Sequence, residues 1–317
     1  MCPFCFYFCM QIMLKTDMEN KKSLVGAWVE AARPRTLPAS VSPVLLGCAL
    51  AYYDGVFDVV PAVLCLLVAL FAQIASNFAN DYFDFKKGAD REDRLGPERA
   101  VAEGWITPKA MLTGTFVTLG LACAAGLLLV CFADWRLIGV GIAIAICVLA
   151  YSAGPFPLAY NGLGDVCVLL FYGVIPVCFT YYIQTLNFSL LSFLLSVALG
   201  LLSVNILIVN NYRDYEQDKA ARKRTTIVLF GRRAGRVFYV LNECMAFLLV
   251  LPLILDAPWW ILFLFGILFA LCFYTTRDLF TLEGRALNRT LGHTARNVFL
   301  FASVLSLLFL YIGGVSN

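Results

Sequence analysis

Residues 61–90 read PAVLCLLVALFAQIASNFANDYFDFKKGAD. Between Asp58 and Asp81 about twenty residues pass without a charge, the length that carries an α-helix across the hydrocarbon core of a bilayer. Asp81, Asp84 and Asp90 then arrive together, mixed with Lys86 and Lys87. The first half of the stretch belongs in lipid. The second half gathers carboxylates at the edge of it.

Outward from this stretch the same composition continues. Of the 317 residues, 61% are hydrophobic and 14% charged, where a soluble domain carries roughly 25% charged residues. Nine segments have the length and apolarity of membrane spans: 38–53, 56–79, 110–132, 136–152, 164–184, 188–210, 237–255, 258–275 and 297–314. Period-two alternation is absent, which argues against a membrane β-barrel. The expected fold is an all-α integral membrane bundle of about nine transmembrane helices. If the residues before the first span lie in the cytoplasm and the spans alternate, all but Arg136 of the 24 Lys and Arg fall on the cytoplasmic side. Topology thus accounts for the net charge of +3, and no nucleic-acid motif is present.

Most of the 12 cysteines lie inside spans, where Cys is a small hydrophobe. Cys2, Cys5 and Cys9 lack a second pair or a histidine to close a metal site. Residues 1–23 read as an N-terminal extension. MCPFCFYFCMQIML has no basic n-region or cleavage site, and Met18 reads as a natural start, so residues 1–17 are expected to be a translation-start artefact or an interfacial extension. Residues 24–317 read as one nine-helix domain.

A second polar burst, NNYRDYEQD at 210–218, echoes NDYFDFKKG at 80–88. Asn, Tyr and Asp match at the first, third and fifth positions, and the sixth is aromatic in both. Each burst closes an apolar helix on the cytoplasmic face, four helices apart, which points to an internal duplication with motifs at 77–90 and 210–218. Residues four apart share a helix face. Asn80 and Asp84 therefore stack, with Asp81 one step round, and Asn210, Asp214 and Asp218 form a longer row. Such oxygen rows suit Mg²⁺, which is completed by phosphate oxygens more often than by a full protein cage. Two rows face to face would hold Mg²⁺ on a diphosphate and neutralise charge on departing pyrophosphate. Lys223 and Arg224 beside the second row, and Arg91, Arg94 and Arg99 beside the first, would grip the remaining phosphate oxygens. A transporter is the competing reading. It would place ionisable groups near the bilayer midplane, where Glu243 is the notable charge.

The paired acidic motifs on nine helices resemble the UbiA-type membrane prenyltransferase superfamily. The similar stretches are ARPRTLPASVSPVLLG (32–47), NFANDYFDFKKGAD (77–90) with RLGPERAV (94–101), YSAGPFPLAYNGLGD (151–165), NNYRDYEQDKAARKRT (210–225) and LNRTLGHTARN (287–297). Within the superfamily they are most similar to the branch that acts on 1,4-dihydroxy-2-naphthoate. The resemblance implies a central cavity opening to the cytoplasmic side of the inner membrane. It also implies transfer of a prenyl group from polyprenyl diphosphate to the naphthoate with loss of pyrophosphate and carbon dioxide; another aromatic acceptor or haem is the alternative. Asn80, Asp81, Asp84, Asp90, Asn210, Asp214 and Asp218 would hold Mg²⁺, with Asp81, Asp84, Asp214 and Asp218 in the catalytic role. Asn77 would bind substrate, Arg35 would meet the acceptor carboxylate, and Tyr151 would steady an allylic cation. His293, the single histidine, is either a substrate-binding residue or an incidental loop residue. Many relatives have Tyr-x-x-x-Lys after the fourth span. Here Pro155 stands four residues after Tyr151, as in the naphthoate branch. Asp90 stands in for an acid at position 88, which is Gly88.

Overall fold

The computed structural model describes residues 23–88 and 94–316, whose regular structure is entirely helical. A short helix, α1 (Leu24–Ala32), precedes α2 (Leu37–Tyr53) and α3 (Val59–Lys86). Then come α4 (Pro108–Leu129), α5 (Leu137–Ala150), α6 (Gly164–Thr185) and α7 (Leu190–Arg213). The chain ends with α8 (Tyr215–Ala220), α9 (Thr226–Leu255), α10 (Trp259–Thr281) and α11 (Leu287–Ser316). Among the described residues, eight segments are long and apolar enough to cross a bilayer, α1 and α2 counting as one. The ninth expected span is α5, with 14 residues. At a rise of 1.5 Å per residue it covers about 21 Å of a core ~30 Å thick.

Several helices run further than the hydropathy pattern alone suggests. α3 continues through its acidic motif to Lys86 and α7 enters its own as far as Arg213, because one side of each motif is still apolar. Phe78 and Tyr82 pack with Ala27, Trp28 and Met111, and Ile208 and Tyr212 pack with Ile227 and Tyr239. α9 begins eleven residues before the expected span, behind the Thr225 cap, whose hydroxyl accepts the Val228 N–H at 3.3 Å. Gly231 then breaks it with φ 84 and ψ 163. α6 contains a π-turn at Leu170–Val174. Gly173 in that turn lies against Gly200 of α7 so closely that a Cβ would fall 2.5 Å from the Gly200 Cα. Small residues of this kind let helices approach in lipid, where dispersion replaces the hydrophobic drive.

The largest core joins α2, α6, α7, α9, α10 and α11 through Leu46, Val177, Leu195, Val250, Phe265 and Phe301. Large side chains such as Phe116, Leu248 and Phe263 face outward, as lipid-facing residues do. Residues 1–22, including the segment expected to be a start artefact or an interfacial extension, lie outside the described residues.

Candidate active site

One side of the bundle is not filled. A cavity of about 1080 Å³ lies among α2, α3, α4, α5, α6 and α7. Its far wall is apolar, with Val44, Leu119, Leu129, Leu137, Phe179 and Ile183. Its near end carries Asn80, Asp84, Asn210, Asp214, Asp218 and Lys223. The two acidic motifs therefore meet at one end of a greasy chamber.

Each carboxylate is met by a cation. Asp84 Oδ2 lies 3.4 Å from Arg99 Nη2 and 3.7 Å from Lys223 Nζ. Lys223 also reaches Asp218 Oδ1 at 3.9 Å, and so ties the two motifs together. Asp214 is gripped by Arg213, Nε to Oδ1 at 2.7 Å and Nη2 to Oδ2 at 2.6 Å. Burial, reinforced by Asp214 and Asp84, pushes the Asp218 carboxyl up to about 7 against the lowering effect of Lys223. Among the described residues no group of three or more His, Cys, Asp or Glu could hold a metal alone. The amide oxygens of Asn80 and Asn210 complete the donor set, and the mutual repulsion of Asp84, Asp214 and Asp218 is what a divalent cation relieves. The residues present therefore fit Mg²⁺ shared with a diphosphate.

The remaining expected residues divide. Asn77 borders the cavity, but its amide is committed to the Ala32 carbonyl at 2.9 Å and to Gln73 at 3.2 Å. Arg35, Arg94, Arg99, Tyr151 and His293 line the cavity. His293 Nδ1 faces Asp278 at 3.8 Å. Two expectations are corrected. Asp81 does not face the cavity beside Asp84: it is 1% exposed, and its oxygens accept the Ala100 and Val101 N–H groups at 3.1 and 3.3 Å. It stands one residue, about 100°, round the helix from Asn80, and its oxygens turn onto the loop instead of the chamber. Arg224 is exposed and off the cavity wall; its backbone N–H donates to the Tyr160 carbonyl at 2.9 Å instead. Asp90 and Arg91 lie outside the described residues. Glu243 is likewise off the cavity wall, and its Oε2 accepts the Thr276 hydroxyl at 2.6 Å.

Two residues were missed. Tyr160, from the loop after α5, donates its hydroxyl to Asp84 Oδ1 at 2.8 Å. Lys87 and Lys223 sit over its ring at 4.4 and 4.6 Å. The Gly and Pro turns of 151–165 gave no sign of where that loop docks. Arg213 is 1% exposed and also holds Asn210 Oδ1 at 2.8 Å and Asn288 Oδ1 at 2.6 Å. Gly96 makes room for it, since a Cβ there would fall 2.8 Å from Arg213 Nη2. Its place inside the second motif was the available signal.

Known proteins bear on this geometry. The UbiA prenyltransferase family profile matches residues 40–304. The chain is 37% identical to the 1,4-dihydroxy-2-naphthoate octaprenyltransferase of Haemophilus influenzae over 72% of this chain and 76% of that one. It is also 37% identical to the Escherichia coli protein of the same name, over 70% and 74%. A UbiA homolog from Archaeoglobus fulgidus, solved bound to DMAPP and Mg²⁺, shares the fold with a TM-score of 0.60 at 19% identity, covering 89% of this chain and 97% of that one.

Proposed function

Because the chain belongs to the UbiA prenyltransferase family and is a multi-pass membrane protein, we propose that it transfers a polyprenyl group from polyprenyl diphosphate to 1,4-dihydroxy-2-naphthoate. The observation that carries this reading is the cavity, which joins a cluster of carboxylates, amides and cations to a long apolar chamber. A substrate with a diphosphate head and a hydrocarbon tail matches both ends. The identity of the acceptor is supported by the names of the relatives.

Asp84, Asp214, Asp218, Asn80 and Asn210 would hold Mg²⁺, which when bound neutralises charge on the diphosphate as the C1–O bond breaks. Lys223 and Arg99, already on Asp84, turn to the phosphate oxygens. Arg94, which lines the same cavity, joins them. Pyrophosphate leaves, and the naphthoate ring attacks the allylic carbon and loses its carboxyl group as carbon dioxide. Tyr151 offers its ring to the cation. The apolar wall excludes the water that would quench it. Arg35, exposed on the cavity wall, meets the acceptor carboxylate. The distribution of Lys and Arg supports an active site facing the cytoplasm, in the cytoplasmic membrane.

The test is a mass-spectrometric product assay on membranes carrying the chain, with Mg²⁺, polyprenyl diphosphates and several aromatic acids. Demethylmenaquinone is expected from the naphthoate and lost in Asp84→Ala. Product from 4-hydroxybenzoate and none from the naphthoate would overturn the acceptor; undiminished product in Asp84→Ala would overturn the site.

A further inference from the structure

Asp165 borders the same cavity. Asp84, Asp214 and Asp218 each have a Lys or Arg within 4 Å. Among the described residues Asp165 has no ion pair. It enters the first turn of α6, and its Oδ2 accepts the Thr226 hydroxyl, which ties α6 to α9. Its Oδ1 is buried and has no hydrogen-bond partner among the described residues. The phenol of Tyr151 crosses the helix start beside it, since a Cβ on Gly164 would lie 3.5 Å from the Tyr151 hydroxyl.

An unpaired buried carboxylate oxygen is costly, and tying α6 to α9 uses only the other oxygen. With no cation beside it, Asp165 repels a diphosphate. What it can take is an uncharged O–H donor on an apolar body. We propose that Asp165 is a further catalytic residue, whose Oδ1 accepts a ring hydroxyl of the aromatic acceptor; this rests on the function proposed above. As the ring carbon bonds to the prenyl C1, the O–H proton passes to Oδ1 and the ring becomes its keto form. Loss of carbon dioxide returns the carboxyl electron pair to the ring, and the restored phenolate takes the proton back. No other reactant is needed.

Asp165→Asn keeps the shape and removes the negative charge. In the full-length enzyme it is expected to weaken 1,4-dihydroxy-2-naphthoate by about tenfold or more in KM, as a site built for a hydroxyl does when the pairing is lost. The inhibition constant of 2-naphthoate, which has no hydroxyl, and the KM of the prenyl diphosphate stay unchanged. Thr226→Val leaves the carboxylate and cuts only the tie to α9; it is expected to keep the preference for the dihydroxy ring. An equal loss for both naphthoates in Asp165→Asn, no loss at all, or a Thr226→Val enzyme that behaves like Asp165→Asn would overturn the assignment. Wild-type enzyme that makes no product from the naphthoate breaks the underlying function instead, and is recognised without any variant.

Discussion

The first acidic motif rides on an unbroken helix, α3, which runs to Lys86, whereas the second spans a break, with α7 ending at Arg213 and α8 starting at Tyr215. Aligned position by position, they share Asn80 with Asn210 and Asp84 with Asp214 on the cavity wall. They part at the positions between and after. Asp81 stands opposite Asn211, Phe83 opposite Arg213, and Gly88 opposite Asp218. Among the described residues of the first motif, Asp84 faces the cavity and Asp81 pins residues 100 and 101. In the second, Asp214 and Asp218 face the cavity while Glu216 is exposed, and the cation that holds Asp214 comes from within the motif. A duplicated pattern has divided its work. One copy anchors the loop over the cavity, and the other supplies most of the charge.

The sharpest way to break this comparison is to neutralise each first-motif acid. Asp84→Asn should lower kcat/KM by ~10²–10³-fold, the scale of losing one electrostatic contact to a reacting centre, with the fold intact. Asp81→Asn should instead loosen the 94–101 segment, read as faster proteolysis there, with activity falling only as far as the loop does. If both variants lose activity without any change in proteolysis, the division of labour is wrong. Next in size, Arg213→Met leaves the Asp214 carboxylate buried and unpaired, at a cost of about 3–5 kcal/mol. A clear fall in thermal stability is expected in detergent. Phe83→Met, at the matching position, should show a much smaller fall.

Tyr160→Phe removes one hydrogen bond to a charged acceptor, worth about 1.5–3 kcal/mol. It should raise the KM of the prenyl diphosphate by roughly 10–100-fold while leaving the acceptor KM alone. The smallest effect concerns pH. Burial raises the Asp218 carboxyl to about 7, so below that pH a proton competes with Mg²⁺ for it. The Mg²⁺ concentration for half-maximal rate should rise as pH falls through 7, and Asp218→Asn should flatten that dependence at the cost of weaker Mg²⁺ binding.

Much of this was legible along the chain. The spans, the helical phase of Asn80 with Asp84, and the row Asn210, Asp214, Asp218 follow from local spacing, and the structure brings those residues together at one cavity. The role of Asp81 was not legible. Its partners, Ala100 and Val101, are reached through a loop whose path no periodicity encodes. Nor could Tyr160 be paired with Asp84. The two are 76 residues apart, and the connection depends on how the turns at Gly154 (φ +84) and Gly162 (φ +77) fold the loop back. Arg224 illustrates the opposite error, since nearness in sequence to the acidic row did not bring its side chain to the wall.

By itself the sequence determined what lipid and helix geometry dictate: apolar segments must close their backbone hydrogen bonds within helices, and a four-residue spacing must share a face. Only the tertiary structure decided which of the carboxylates Asp81 and Asp84 meets the cavity, which cation holds each acid, and which buried oxygen stays unpaired. Those outcomes depend on long-range packing of loops and helix ends, which sends Asp84 to the site and Asp81, three residues before it on the same helix, to the loop that supports it.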